Sequence, residues 1–92
     1  MIQRIDTPTG VCFQAKGGRC CASEFMGLGW IHDMEVDSKD PTLAVRLGLR
    51  CRAWLRERGH DTFRIWIVPG SETHGAFTRT GFVIETIIMR SI

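Results

Sequence analysis

The chain has 92 residues, of which 43% are hydrophobic and 24% charged, and its formal net charge is +2. These values describe one ordinary globular domain and exclude intrinsic disorder, collagen-like repeats and a coiled coil. A domain this short has a thin core and commonly leans on a partner, a metal or disulfides. In chain order, residues 11–15 read as a short strand, and Gly17-Gly18 can supply the positive φ angles of a tight hairpin turn. Residues 20–23 then read as the returning strand, and Met26-Gly27-Leu28-Gly29 as flexible punctuation. Residues 30–37 alternate cleanly, with Trp30, His32, Met34 and Val36 on one face and Ile31, Asp33, Glu35 and Asp37 on the other. Asp40 is a good N-cap and Pro41 a good first residue for a helix over 41–58. Its buried stripe is Leu43, Leu47, Cys51, Trp54 and Leu55, and Gly59 ends it. Residues 62–68 form an apolar strand, 71–79 a short helix, and 82–89 a buried strand. Alternating strands and helices after an antiparallel hairpin predict an α/β (α+β) fold, a mixed sheet with helices packed on it.

The charge balance is mild, so a nucleic-acid partner is not expected. Ten of the twelve basic residues are Arg, whose planar fork suits interfacial ion pairs, although a high-GC genome gives the same bias. No pair among Cys12, Cys20, Cys21 and Cys51 has the two-residue gap that zinc sites favour, so no metal is expected and the four read as free thiols. Cys20 and Cys21 are adjacent and on a strand would face opposite sides. The opening Ile2-Gln3-Arg4-Ile5-Asp6 is too polar for a secretory leader, and no apolar run reaches membrane-spanning length. The expected setting is cytoplasmic, or something assembled inside a cytosol, with no membrane contact.

Four features together resemble the Gcn5-related N-acetyltransferase (GNAT) fold. They are a strand ending in Val36-Asp37 directly before a long helix, the helix ending Trp54-Leu55-Arg56-Glu57-Arg58-Gly59-His60, the strand Phe63-Arg64-Ile65-Trp66-Ile67-Val68, and a short helix running into Thr80-Gly81-Phe82-Val83 and a last strand through Met89-Arg90. The resemblance covers about two thirds of the chain, and it extends weakly over the hairpin of residues 15–23. It implies a mostly antiparallel sheet with one long and one short helix, in a single truncated domain over 1–92.

The resemblance also implies an acetyl-CoA site at the start of the long helix, where glycines and free N–H groups hold the pyrophosphate. The corresponding positions are Val36, Thr42, Leu43, Ala44, Val45 and Arg46. The stretch Ser38-Lys39-Asp40-Pro41-Thr42-Leu43-Ala44-Val45 has no glycine, Pro41 removes a donor, and Asp40 would repel phosphate. Glu35 and Asp33 lie on the strand where some members hold a general base. The position of the general-acid Tyr is Phe77, and the chain contains no Tyr. A phenyl ring has no proton to give. Against the family pattern, the first strand and the acceptor-side helices read as missing or reduced to residues 1–8, so a substrate wall would have to come from elsewhere.

Other residues carry plainer readings. His32 reads as a packed histidine beside Trp30, and His74 as a surface one. The Arg46/Arg50 and Arg52/Arg56 pairs read as a solvated helix face that could meet phosphate or an acidic partner. Trp30, Trp54 and Trp66 read as core, with one able to anchor an interface. Two functions follow as expectations. The first is a GNAT-like domain that has lost catalysis and serves as a structural or protein-interaction component, in a homo-oligomer or a phage assembly. Residues 68–74 and Gly81-Phe82 loosely resemble GNAT-like virion proteins of short-tailed phages. The second is a small N-acetyltransferase using acetyl-CoA on an amine of a protein or small molecule.

Overall fold

The structure, a computed structural model, describes residues 1–37 and 40–65. Strands β1 (Gln3–Asp6), β2 (Gly10–Ala15), β3 (Gly18–Phe25), β4 (Leu28–Val36) and β5 (Phe63–Ile65) form one sheet in the order β1-β2-β3-β4-β5. The first four pair antiparallel, and β5 runs parallel to β4 after a crossover through helix α1 (Pro41–Glu57). The parallel pair follows from the crossover, because a tight turn can join only antiparallel strands. The fold is thus α+β, with a mostly antiparallel sheet and one helix on it. The expected short helix and last strand, with Trp66, His74 and Phe77, lie outside the described residues.

Helix α1 begins on the expected residue and ends one residue early, at Glu57. The Asp40 carboxylate accepts from the Leu43 N–H at 3.0 Å, Pro41 occupies the first turn, and Gly59 takes φ +90° beyond the last turn. All five residues of the expected stripe are buried: Leu43, Leu47, Cys51, Trp54 and Leu55. They pack against Val11, Phe13, Cys20, Ala22 and Ile31 from the sheet. Arg46, Arg50 and Arg56 are exposed, as their place off the stripe requires. Arg58 stacks on the Trp54 ring at 4.2 Å and donates to Glu24 at 3.3 Å, while His60 meets the other Glu24 oxygen at 2.7 Å. This cluster ties the far end of β3 to the chain leaving the helix.

Two tight turns set the register of the sheet. Lys16-Gly17 joins β2 to β3, with Gly17 at φ +93°. Met26-Gly27 joins β3 to β4, with φ values of +53° and +77°, positive at both central residues as two-residue hairpins prefer. The segment read as flexible punctuation is therefore a hairpin turn and the first residues of β4. Strand β1 is a further element, short, polar and exposed throughout, which is why it shows no periodic signal.

The clean alternation expected for residues 30–37 is broken. Arg19 pairs with Glu35 but Cys21 pairs with His32, so β4 spends one residue more than β3 over that interval. The extra residue is Asp33, at φ +50°. Trp30 and His32 keep one face, whereas Met34 and Val36 cross to the helix side and join Ile31 against the core. His32 is consequently not packed with Met34 and Val36; it is about one third exposed. Of the two described tryptophans, Trp54 is core and Trp30 lies half-buried on the face away from the helix.

Leu47 is fully buried at the centre of the helix contact, and Arg46 beside it is exposed. Leu47→Ala should cost about 2–5 kcal/mol in urea denaturation, whereas Arg46→Ala should change stability by less than about 0.5 kcal/mol. Equal effects of the two would disprove the assigned helix orientation.

Candidate functional site

One face of the sheet is covered by α1, and the cross-strand register arranges the other into rows. Gln3, Gln14, Arg19 and Glu35 form a polar row, with Arg19 and Glu35 3.8 Å apart. Ile5, Cys12, Cys21 and His32 form the next. Ser23, Trp30 and Arg64 follow, with the Arg64 guanidinium 5.7 Å from the centre of the Trp30 ring. Phe25 and Leu28 close the hairpin tip.

Within this face Ser23, His32 and Asp33 form a connected set. The Ser23 hydroxyl lies 3.0 Å from His32 Nε2, and His32 Nδ1 lies 3.0 Å from Asp33 Oδ2. In a regular strand, neighbours point to opposite faces, and Asp33 could not reach the ring of His32. The bulge removes that restriction. With the ring proton on Nδ1, His32 donates to Asp33 and accepts the Ser23 proton on Nε2. Ser23 and His32, together with Phe25 and Trp30, line a depression of about 230 Å³. The indole N–H of Trp30 is buried and has no hydrogen-bond partner among the described residues.

The cysteines divide by face. Cys12 and Cys21, paired across β2 and β3, form a disulfide on the open face. This corrects the expectation of four free thiols: the two-residue turn places their side chains opposite one another. Cys20, the neighbour of Cys21, points the other way into the core, as adjacency on a strand requires. The Cys51 thiol donates to Cys20 at 3.6 Å, and Cys20 donates to the His32 carbonyl at 4.0 Å. These thiols link α1 to β3 and to β4 directly beneath the bulge. The hydrogen bond to Cys20, reinforced by burial, pushes the Cys51 thiol far above the ordinary thiol range.

The residues expected to be functional are spread over several environments. Glu35 and Val36 line a second depression of about 560 Å³, beside Gln14, Arg19 and Asp37 near the start of α1. Asp33 is not part of it and bonds His32 instead. Leu43, Ala44 and Val45 are buried, and Thr42 and Arg46 are exposed on the helix. The helix N-terminus has few donors left for an anion. Asp40 N–H bonds Asp37 O at 2.9 Å, Pro41 has no N–H, Leu43 N–H bonds the Asp40 carboxylate, and Ala44 N–H bonds Asp40 O at 3.5 Å. Among the described residues only Thr42 N–H remains, next to a carboxylate that already occupies the positive end of the dipole. Among the described residues, this N-terminus offers the pyrophosphate of acetyl-CoA little to bind. Among the described residues, no group of three or more His, Cys, Asp or Glu is placed to hold a metal ion, and no helix is long and apolar enough to cross a membrane.

Ser23 drew no attention in the sequence, because its partners are nine and ten residues away and meet only through the Met26-Gly27 register and the bulge. No family model, curated protein or solved structure matches the chain.

The cysteine arrangement can be counted. Native protein prepared without reductant should resist alkylation. Denaturation should expose two thiols per chain, Cys20 and Cys51, and reduction should raise the count to four. Four thiols before reduction, or alkylation of Cys51 in the native state, would contradict the pairing.

Proposed function

We propose that this chain is a GNAT-like domain that has lost acetyl-CoA-dependent catalysis and serves as a structural or protein-interaction component, with a phage virion as the setting suggested by its resemblance. The observation that carries this reading is the apolar tip of the β3–β4 hairpin. The helix covers one face, while Phe25, Met26 and Leu28 at the hairpin tip are 64%, 84% and 42% exposed. Large apolar side chains grouped at one point mark a contact surface more often than isolated ones do. Ile5, 44% exposed, extends the apolar surface to the other end of the face, beside the disulfide.

The competing reading, a transferase that uses acetyl-CoA, needs an anion at the start of α1. Asp40 supports the opposite conclusion. Its carboxylate takes the Leu43 donor and adds negative charge where the pyrophosphate would sit. Glu35, the candidate base, is paired with Arg19 on the polar row, and Asp33 is paired with His32.

Calorimetric titration of the purified chain with acetyl-CoA should give no binding heat at millimolar ligand. Micromolar binding would overturn the loss of catalysis. Sedimentation velocity tests the contact surface: Phe25→Ser together with Leu28→Ser should leave the thermal transition nearly unchanged and weaken self-association or partner binding. A chain that neither self-associates nor responds to this double substitution would argue against the hairpin tip as an interface.

A further inference from the structure

We propose that Ser23, His32 and Asp33 form a nucleophilic site that accepts the acyl group of small activated esters. The inference concerns the free chain and does not rest on the interaction reading.

Three observations carry it. The first is atom placement: the Ser23 hydroxyl meets His32 Nε2, and Asp33 meets Nδ1, each at 3.0 Å. That is the connectivity in which a histidine removes the serine proton while a carboxylate fixes its tautomer. The second is the backbone. Asp33 adopts φ +50° at the one irregularity in the β3–β4 pairing, and the irregularity re-aims its carboxylate onto its neighbour's ring. Bulges that re-aim a side chain concentrate beside active sites. The third is the surroundings. Ser23 lines a depression of about 230 Å³ together with Phe25, Trp30 and His32. This volume is below the roughly 300–1,000 Å³ of pockets for drug-sized ligands, so it suits a short acyl or aryl group.

The chemistry balances without any further reagent. The Ser23 proton passes to His32 Nε2 as Oγ attacks the ester carbonyl carbon. The bond from that carbon to the leaving oxygen breaks, and the leaving alcohol takes the proton from Nε2. Water then attacks the acyl-serine and gives a proton to Nε2. Cleavage of the acyl–Oγ bond releases the acid, and the proton returns to Ser23.

The test uses the full oxidised chain and a fluorophosphonate probe, from which Ser23 Oγ displaces fluoride to give a stable adduct. Peptide mass spectrometry should find one adduct per chain, on Ser23. His32→Ala should slow labelling by about a hundredfold or more, and Ser23→Ala should abolish it. With p-nitrophenyl acetate, Asp33→Asn should lower kcat at least about tenfold with KM little changed, which loss of packing alone would not produce. Circular dichroism would verify that each variant remains folded. No adduct on Ser23 in the wild-type chain overturns the proposal. So does ester hydrolysis that survives Ser23→Ala, or labelling that is indifferent to His32→Ala.

Discussion

A single extra residue in β4, Asp33, decides which side chains this domain buries and which it presents. Without it, Trp30, His32, Met34 and Val36 would share one face, and the helix would meet either all of them or none. With it, Ile31, Met34 and Val36 pack beneath α1, while Trp30 and His32 stay outside. The same residue supplies the carboxylate that orients His32. Core packing and surface chemistry are thus coupled at one position. A non-glycine residue at positive φ carries a cost of order 1–3 kcal/mol, with Asp among the side chains that bear it best. The gain that offsets this cost is a larger apolar contact for the helix.

Strand β3 transmits that constraint through its adjacent cysteines. Cys21 is bonded to Cys12 on the open side, and Cys20 accepts from Cys51 of the helix and donates to the His32 carbonyl on the buried side. One strand therefore connects the helix, the β2 hairpin and the strand that carries the bulge. A thin core leaves little apolar area to fix such relationships, and a covalent cross-link constrains the unfolded chain where burial cannot.

The helix was legible in the sequence because its signals are local. Asp40, Pro41, the Leu43-to-Leu55 stripe and Gly59 each act within a turn of themselves, and each occurs as read. The sheet was less legible because its pairings depend on register. Placing the first turn on Lys16-Gly17 sets Cys12 opposite Cys21, whereas placing it on Gly17-Gly18 would move every partner. The reading of free thiols failed at that step. The reading of His32 failed because perfect alternation in a sequence says nothing of a bulge, and Asp33 carries no mark that separates it from an ordinary outward acid. Ser23 depends on both the second turn and the bulge, so no local pattern could expose it.

The start of α1 shows how a chain can answer the dipole of its own helix. A strand running into a long helix, then a parallel strand beside the first, leaves a helix N-terminus at the mouth of the sheet. Its dipole attracts an anion whatever the sequence. What varies is the source of that anion. Here the chain supplies it: Asp40 satisfies Leu43, its own N–H turns back to Asp37, and Pro41 contributes no donor. An internal carboxylate costs no association entropy, so a phosphate would have to displace a partner already held in place while facing its charge. The same capping that stabilises the helix thereby leaves its described N-terminus little to offer an external anion. The chemistry that remains is on the opposite side of the sheet, where the bulge gathers Ser23, His32 and Asp33.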